Sequence, residues 1–410
     1  MASRNQSSGE GKAPKRGWQA GLCLFGSLVA ASIIAASVPA AAPVPALASA
    51  AKVNVVAYAV TSSPFVSSSS SKSWYRIPAI VKNAHGDLLA FAEKRDNNTD
   101  SDKGNFDIVM RKSTNGGRTW GTMKTVANDG RNKVSNPVPL LDPTTGDVLL
   151  ISSIRNANDT YKGVFLQRST DGGNTFTSLL SNPIGRPSGW KGGLTGPGHG
   201  IVLQRGAHAG RILVAMGYKT RVGGKYGAYG IYSDDGGKTW RVGYDRCDTS
   251  GKTQMIEGTI AEMASGKLYI DYRDKKAKTP GQTRLCAFSS DGGKSLSTSF
   301  RRQSTLKIHS CEGSALGLTG RYAGHMLFSA PTFTSASDRS LRRDMGIFSC
   351  GNSYGSFGGV HRVEKASMPA AYSDLVQVND YAVGVLYETG VSKWRERIVY
   401  RQLPLSGLLK

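Results

Sequence analysis

Metal chemistry finds no footing in the ligand-type residues of this 410-residue chain. Its 6 histidines are scattered, no HExxH occurs, and Cys247, Cys286, Cys311 and Cys350 form no CxxC pair. Neither a metal nor a cofactor is expected, which leaves carboxylates, guanidiniums and phenols. They occur in short stretches beside strand-like apolar runs. Tyr75-Arg76-Ile77-Pro78 precedes Ala79-Ile80-Val81, and Phe91-Ala92-Glu93-Lys94-Arg95 opens onto a polar loop holding Asp100 and Asp102. Ser135-Asn136-Pro137, Glu257-Gly258-Thr259 and Tyr272-Arg273-Asp274 follow, then Arg342-Arg343-Asp344, Ala371-Tyr372-Ser373 and Tyr387-Glu388. Planar guanidinium forks hold carboxylates bidentately, acids move protons, and a phenol beside a base becomes a nucleophile. Singly, each has a blander reading: a solvated arginine, a core tyrosine, a glutamate facing water. Arg76-Ile77-Pro78 alone would be a surface arginine before an edge-strand proline.

Bringing residues so far apart together is the work of a repeat. The octet at 113–120 (STNGGRTW) is echoed at 169–176 (STDGGNTF), 233–240 (SDDGGKTW) and 289–296 (SSDGGKSL), giving periods of 56, 64 and 56 residues. Between the octets, runs such as Asp107-Ile108-Val109-Met110 and Lys267-Leu268-Tyr269-Ile270 alternate and are broken by Gly, Asn and Asp, the pattern of short antiparallel strands. In each octet the Asp (or Asn115) can bond nearby backbone N–H groups, the glycines supply φ > 0, and the terminal aromatic packs between sheets. This turn is the Asp box of β-propeller blades, and its role is structural. About 360 residues in periods of about 60 give an all-β, six-bladed propeller, with two packed β-sandwiches as the rival architecture.

The first fifty residues differ. Basic Lys12, Lys15 and Arg16, the apolar run from Leu22 to Val38 and the ending Ala46-Leu47-Ala48-Ser49-Ala50 have the anatomy of an export signal, preferred over a single membrane anchor. Residues 51–410 are then expected to be a secreted, monomeric catalytic domain with no further membrane span. Export allows one or two disulfides, which spacing cannot pair. The net charge is +23, of which residues 1–50 account for little, so the surface concentrates anions. Lysines and arginines are spread along the chain and no nucleic-acid motif occurs, which favours an acidic sugar over nucleic acid as partner.

Upstream of the Asp boxes, Arg76-Ile77-Pro78 resembles the opening signature of the sialidase family, in its secreted bacterial form, and the resemblance extends along the whole of residues 51–410. It implies that Arg76, Arg273 and Arg342 bind the substrate carboxylate, with Arg343 the close rival of Arg342, and that Glu388 braces Arg76. Arg95 and Asn136 become further substrate contacts, although the family often has Asp where this chain has Asn136. The general acid falls on Asp102, five residues before Asp107, with Asp100 as rival. Tyr372 becomes the nucleophile and Glu257 its base. Glu262, at an odd offset along the same strand, faces elsewhere, and His199 in Gly196-Pro197-Gly198-His199-Gly200 is structural.

The chemistry is coherent. Sialic acid carries a carboxylate on its anomeric carbon, so an anionic nucleophile would meet the substrate's own charge, whereas a phenol is neutral until it reacts. Sialidases with a Tyr nucleophile are known exceptions to the two-carboxylate scheme. The expected function is exo-α-sialidase hydrolysis of sialylated glycans with retention. The rivals are an inactive sialic-acid lectin, a sialyl-transferring relative, and a two-carboxylate glycosidase acting on neutral polysaccharide.

Overall fold

Runs rich in β-branched and aromatic residues, punctuated by Gly, Asn and Asp, make the regular structure of the described chain almost entirely antiparallel strand. The computed structural model describes residues 60–96, 102–184, 190–332, 342–351, 355–364 and 367–409. The export-signal expectation and Asp100 lie outside these residues. The described residues belong to one unit, Val56–Lys410. Among them no helix is long and apolar enough to cross a membrane.

Hydrogen bonding gathers the strands into five sheets, one of eight strands, one of five and three of four. The eight-stranded sheet consists of two antiparallel arrays, one beginning at Trp74–Lys82 and one at Lys133–Leu141, joined only where Phe106 pairs in parallel with Lys133. The five-stranded sheet begins at Trp190–Thr195, and two of the four-stranded sheets begin at Met255–Glu262 and Ser314–Gly317. The last sheet joins Ala370–Asn379, Ala382–Thr389 and Arg397–Pro404 to Thr61–Val66 from the other end of the chain. Its first strand and those of the five other arrays touch in a closed cycle, from Trp74–Lys82 round to Ala370–Asn379 and back. The fold is an all-β propeller.

The core lies between adjacent sheets. One apolar cluster runs from Leu140 and Leu149 to Ile212 and Tyr229, and another from Leu88 and Ala90 to Leu386 and Tyr400. Each such buried side chain contributes about 1.5–3 kcal/mol. The Asp boxes fasten these seams. Trp120 meets the Tyr400 ring edge-on at 5.7 Å and donates from Nε1 to Ser62 Oγ at 2.8 Å, tying the first array to the last sheet. Gly117 sits at φ +85°, so close to Tyr400 that an added Cβ would lie 2.1 Å from the ring. The box aspartates serve their own turns: Thr239 N–H and O–H both donate to Asp235. Slight burial pushes the Asp235 carboxyl up, and hydrogen bonds from Thr239 and Ser233 more than reverse it, to about 2.

The first strands Trp74–Lys82, Lys133–Leu141, Met255–Glu262 and Ala370–Asn379 carry β-bulges near their starts, where the register slips at Ile77-Pro78, Asn136-Pro137, Glu257 and Ala371-Tyr372, and a further bulge falls at Asp344 on Arg343–Cys350. Ile77, Asn136, Glu257 and Asp344 have φ of 56°, 55°, 50° and 55°, although none is glycine. A bulge re-aims a side chain, and left-handed backbone at a non-glycine costs about 1–3 kcal/mol, tolerated where the surroundings over-determine it. Of the seven left-handed non-glycine residues among those described, these four lie at or within two residues of Arg76, Asn136, Glu257 and Arg342.

No disulfide joins Cys247, Cys286, Cys311 or Cys350.

Candidate active site

Glu388 organises the site. It is fully buried on Ala382–Thr389, opposite the bulge that contains Tyr372. Its Oε1 accepts Arg76 Nε at 2.6 Å and Ile77 N–H at 2.9 Å, and its Oε2 accepts Tyr372 N–H at 3.2 Å. One carboxylate therefore fixes an arginine and the backbone of the phenol-bearing residue, a charge-assisted arrangement that holds both in one geometry.

The Tyr372 hydroxyl donates to Glu257 Oε1 in a short hydrogen bond. Arg273 Nη1 donates to Glu257 Oε2 at 2.7 Å and to the Tyr372 oxygen at 3.2 Å, and its Nε lies 3.3 Å from Ser310 Oγ. Burial and then the Glu257 charge raise the Tyr372 phenol well above its ordinary value, while Arg273 and Arg342 pull it back. Burial pushes Glu257 up, but Arg273, the Tyr372 hydroxyl and Arg342 hold it below the ordinary glutamate value. Glu257 is thus an ionised acceptor aimed at a protonated phenol, the pairing that a base-activated nucleophile needs.

Arg342 completes the cluster. Its guanidinium carbon lies 5.4 Å from the Tyr372 ring centre and 5.4 Å from that of Trp394. Arg76 is likewise 5.4 Å from the Tyr372 ring and 4.2 Å from Trp394. Three guanidiniums therefore converge around one phenol. Arg342, and not its neighbour Arg343, faces these rings.

Asp102 stands apart from this centre. Its side chain is 92% exposed, and its only carboxylate bond among the described residues is from Arg95 Nη1 at 3.2 Å. Arg95 is buried and held by Glu93 Oε2 at 2.9 Å through Nε and 2.5 Å through Nη2. Glu93 Oε1 in turn accepts Asn136 N–H at 2.9 Å. The Asn136 amide donates to Thr195 O at 3.1 Å, so this side chain braces the neighbouring strand. Glu262 faces elsewhere, accepting Gln204 and Arg205 N–H. His199 is structural: its Nδ1 lies 2.7 Å from buried Asp374, which also accepts Ile80 N–H and the Ser314 hydroxyl.

Sequence reasoning passed over four residues here. Glu93 shares a strand face with Arg95, which period-two spacing could have flagged. Trp394 lies in a turn with no pattern around it. Cys311 packs with Ile77, Ala371 and Tyr372 beneath the site, and burial pushes its thiol up to about 11. Glu312 is buried, accepts Ser373 N–H at 2.9 Å through Oε2 and has no partner for Oε1 among the described residues. Burial, with Glu257 and Asp374 nearby, raises its carboxyl well above the ordinary value.

Residues 86–386 match the family of BNR repeat-like domains. A sialidase of Micromonospora viridifaciens is 29% identical over 338 residues, covering 77% of this chain and 50% of its own length. An exo-alpha-sialidase of Aspergillus fumigatus is 27% identical over 376 residues, covering 82% of this chain and 85% of its own. Among solved structures, a Hadza microbial sialidase has the same fold, with a TM-score of 0.69 at 23% identity over 82% of this chain and 66% of its own. The chain thus spans half the length of the Micromonospora relative. The chain belongs to the family of BNR repeat-like domains.

Proposed function

We propose that this protein is an exo-α-sialidase that hydrolyses terminal sialic acid from glycoproteins, glycolipids or oligosaccharides with retention. The observation that carries the reading is the Tyr372 hydroxyl donating to Glu257 inside a cluster of three arginines. Arg76, Arg273 and Arg342 receive the substrate carboxylate, whose position on the anomeric carbon sets that carbon against the phenol. Glu257 takes the phenolic proton as Tyr372 attacks. Asp102 protonates the departing glycosidic oxygen, then deprotonates the water that releases the sugar. Arg95 holds Asp102 near the entrance, and Glu388 keeps Arg76 and Tyr372 in register.

The same reading takes the two arrays of the eight-stranded sheet as separate blades, giving six. It treats residues 1–50 as an export signal and the remainder as a secreted monomer acting on sialylated glycans. An inactive lectin would have no use for a base on the phenol.

The test is release of fluorophore from an aryl sialoside by the wild type and by Tyr372→Phe. Turnover by the wild type and near-complete loss in the variant is the expected result. A wild type inert on every sialoside tried would overturn the assignment. Analysis of the product as free, anhydro or transferred sialic acid separates hydrolysis from transfer.

A further inference from the structure

The three arginines are held in different ways. Arg76 has Glu388 and Arg273 has Glu257 as carboxylate partners, at 2.6 Å and 2.7 Å. Arg342 has neither. Within the described residues its side-chain contacts are the rings of Tyr372 and Trp394; Cys311 and Tyr372 favour its charge, while burial, Arg273 and Arg76 oppose it. Like charges placed this close repel, and before a substrate carboxylate arrives something must hold Arg342 in place.

Trp394 is, beside Tyr372 itself, a ring common to Arg76 and Arg342. Its ring centre lies 4.2 Å from the Arg76 guanidinium carbon and 5.4 Å from that of Arg342, so one indole bridges both. The turn presenting it is itself built: the Glu396 carboxylate accepts the backbone N–H groups of Val391, Ser392 and Lys393 at 2.7, 2.9 and 2.8 Å. On its inner side Trp394 packs against the apolar cluster of Ile77, Cys311, Ala371 and Tyr372. An indole face attracts guanidinium without neutralising it, and indole is the strongest such face among side chains. A carboxylate in its place would pin Arg342 but would compete with the substrate for it.

We propose that Trp394 is a positioning residue for the carboxylate-binding arginines, holding Arg76 and Arg342 by cation–π contact in a preformed receptor in which Arg342 has no competing carboxylate. The inference rests on the sialidase reading above. It assigns Trp394 to ground-state recognition of the carboxylate, apart from proton transfer.

The experiment compares Trp394→Phe, which keeps an aromatic face, with Trp394→Leu, which keeps apolar bulk alone. Binding of free sialic acid and of its methyl ester is measured for each, alongside kcat and KM on the aryl sialoside. The leucine variant should lose between about twofold and thirtyfold in its preference for the acid over the ester, with the loss in kcat/KM carried by KM. The phenylalanine variant should keep most of both. Equal loss of acid and ester binding, or leucine behaving as phenylalanine does, would overturn the proposal. Failure of the sialidase reading itself would show separately, as an inert wild type.

Discussion

The phenolic oxygen of Tyr372 donates to Glu257 across 115 residues of sequence, and Arg273 touches both partners. The acceptor sits on one bulge and the donor on another. Glu257 is thus supplied by a sheet that does not carry Tyr372, and loosening either bulge separates them.

Replacing Glu257 with Gln removes the proton acceptor while keeping the shape, and kcat should fall about 10²- to 10⁴-fold with the fold retained. Stability carries a second signature. A carboxylate lowered on folding stabilises above its unfolded value, and that contribution is lost as pH falls through the folded value. Burial opposes the ionised form of Glu257 but Arg273 and its other partners outweigh it, so the wild type's advantage over Glu257→Gln should shrink below the ordinary glutamate range. Thermal unfolding from about pH 7 to about pH 3 measures this, and a gap that does not change with pH would count against it.

Asp102→Asn separates acid catalysis from nucleophilic attack. On natural glycans, whose alcohol leaving groups need a proton, the rate should drop about 10²- to 10⁴-fold. On an aryl sialoside with an acidic phenol as leaving group, the first step should be far less affected. Equal losses on both substrates would move the acid role away from Asp102.

Glu312 titrates in the opposite sense to Glu257. Burial raises its carboxyl in the folded protein. Its stabilising contribution is then fully present below the unfolded glutamate value and is lost as pH rises through the folded one. Glu312→Gln cannot ionise, so this variant should gain stability relative to the wild type as pH is raised. Parallel curves of unfolding midpoint against pH would show that Glu312 is ionised in the folded state.

Gly117→Ala tests the seam. The new methyl would lie 2.1 Å from the Tyr400 ring at a backbone φ of +85°. Left-handed backbone costs about 1–2 kcal/mol and overpacking about 1–3 kcal/mol, so a loss of about 2–5 kcal/mol is expected in urea unfolding. Activity per folded molecule should be unchanged, because no group near Tyr372 is touched.

The repeated octets made the fold legible because each turn is local: a box can be read from eight consecutive residues. Pro78 and Pro137 lie at two of the bulges and could have flagged them, since proline inside a strand signals a lost ladder bond. The site was legible only where a residue stands in a distinctive stretch, as Arg76 does before Ile77-Pro78. Trp394 and Glu312 act through partners more than 30 residues away, Arg342 and Ser373 respectively, and nothing beside them in sequence signals it. The joining of two arrays by Phe106 and Lys133 was likewise invisible, being a single pairing between strands with ordinary patterns.

The sheet bearing Tyr372 and Glu388 is stitched from both ends of the described chain, Thr61–Val66 against Arg397–Pro404. A nascent chain lacking the latter strand would carry the phenol and its bracing carboxylate on an unfinished edge. The surroundings of Tyr372 therefore depend on a strand synthesised after it, and a chain cut before Arg397 should lack the assembled site.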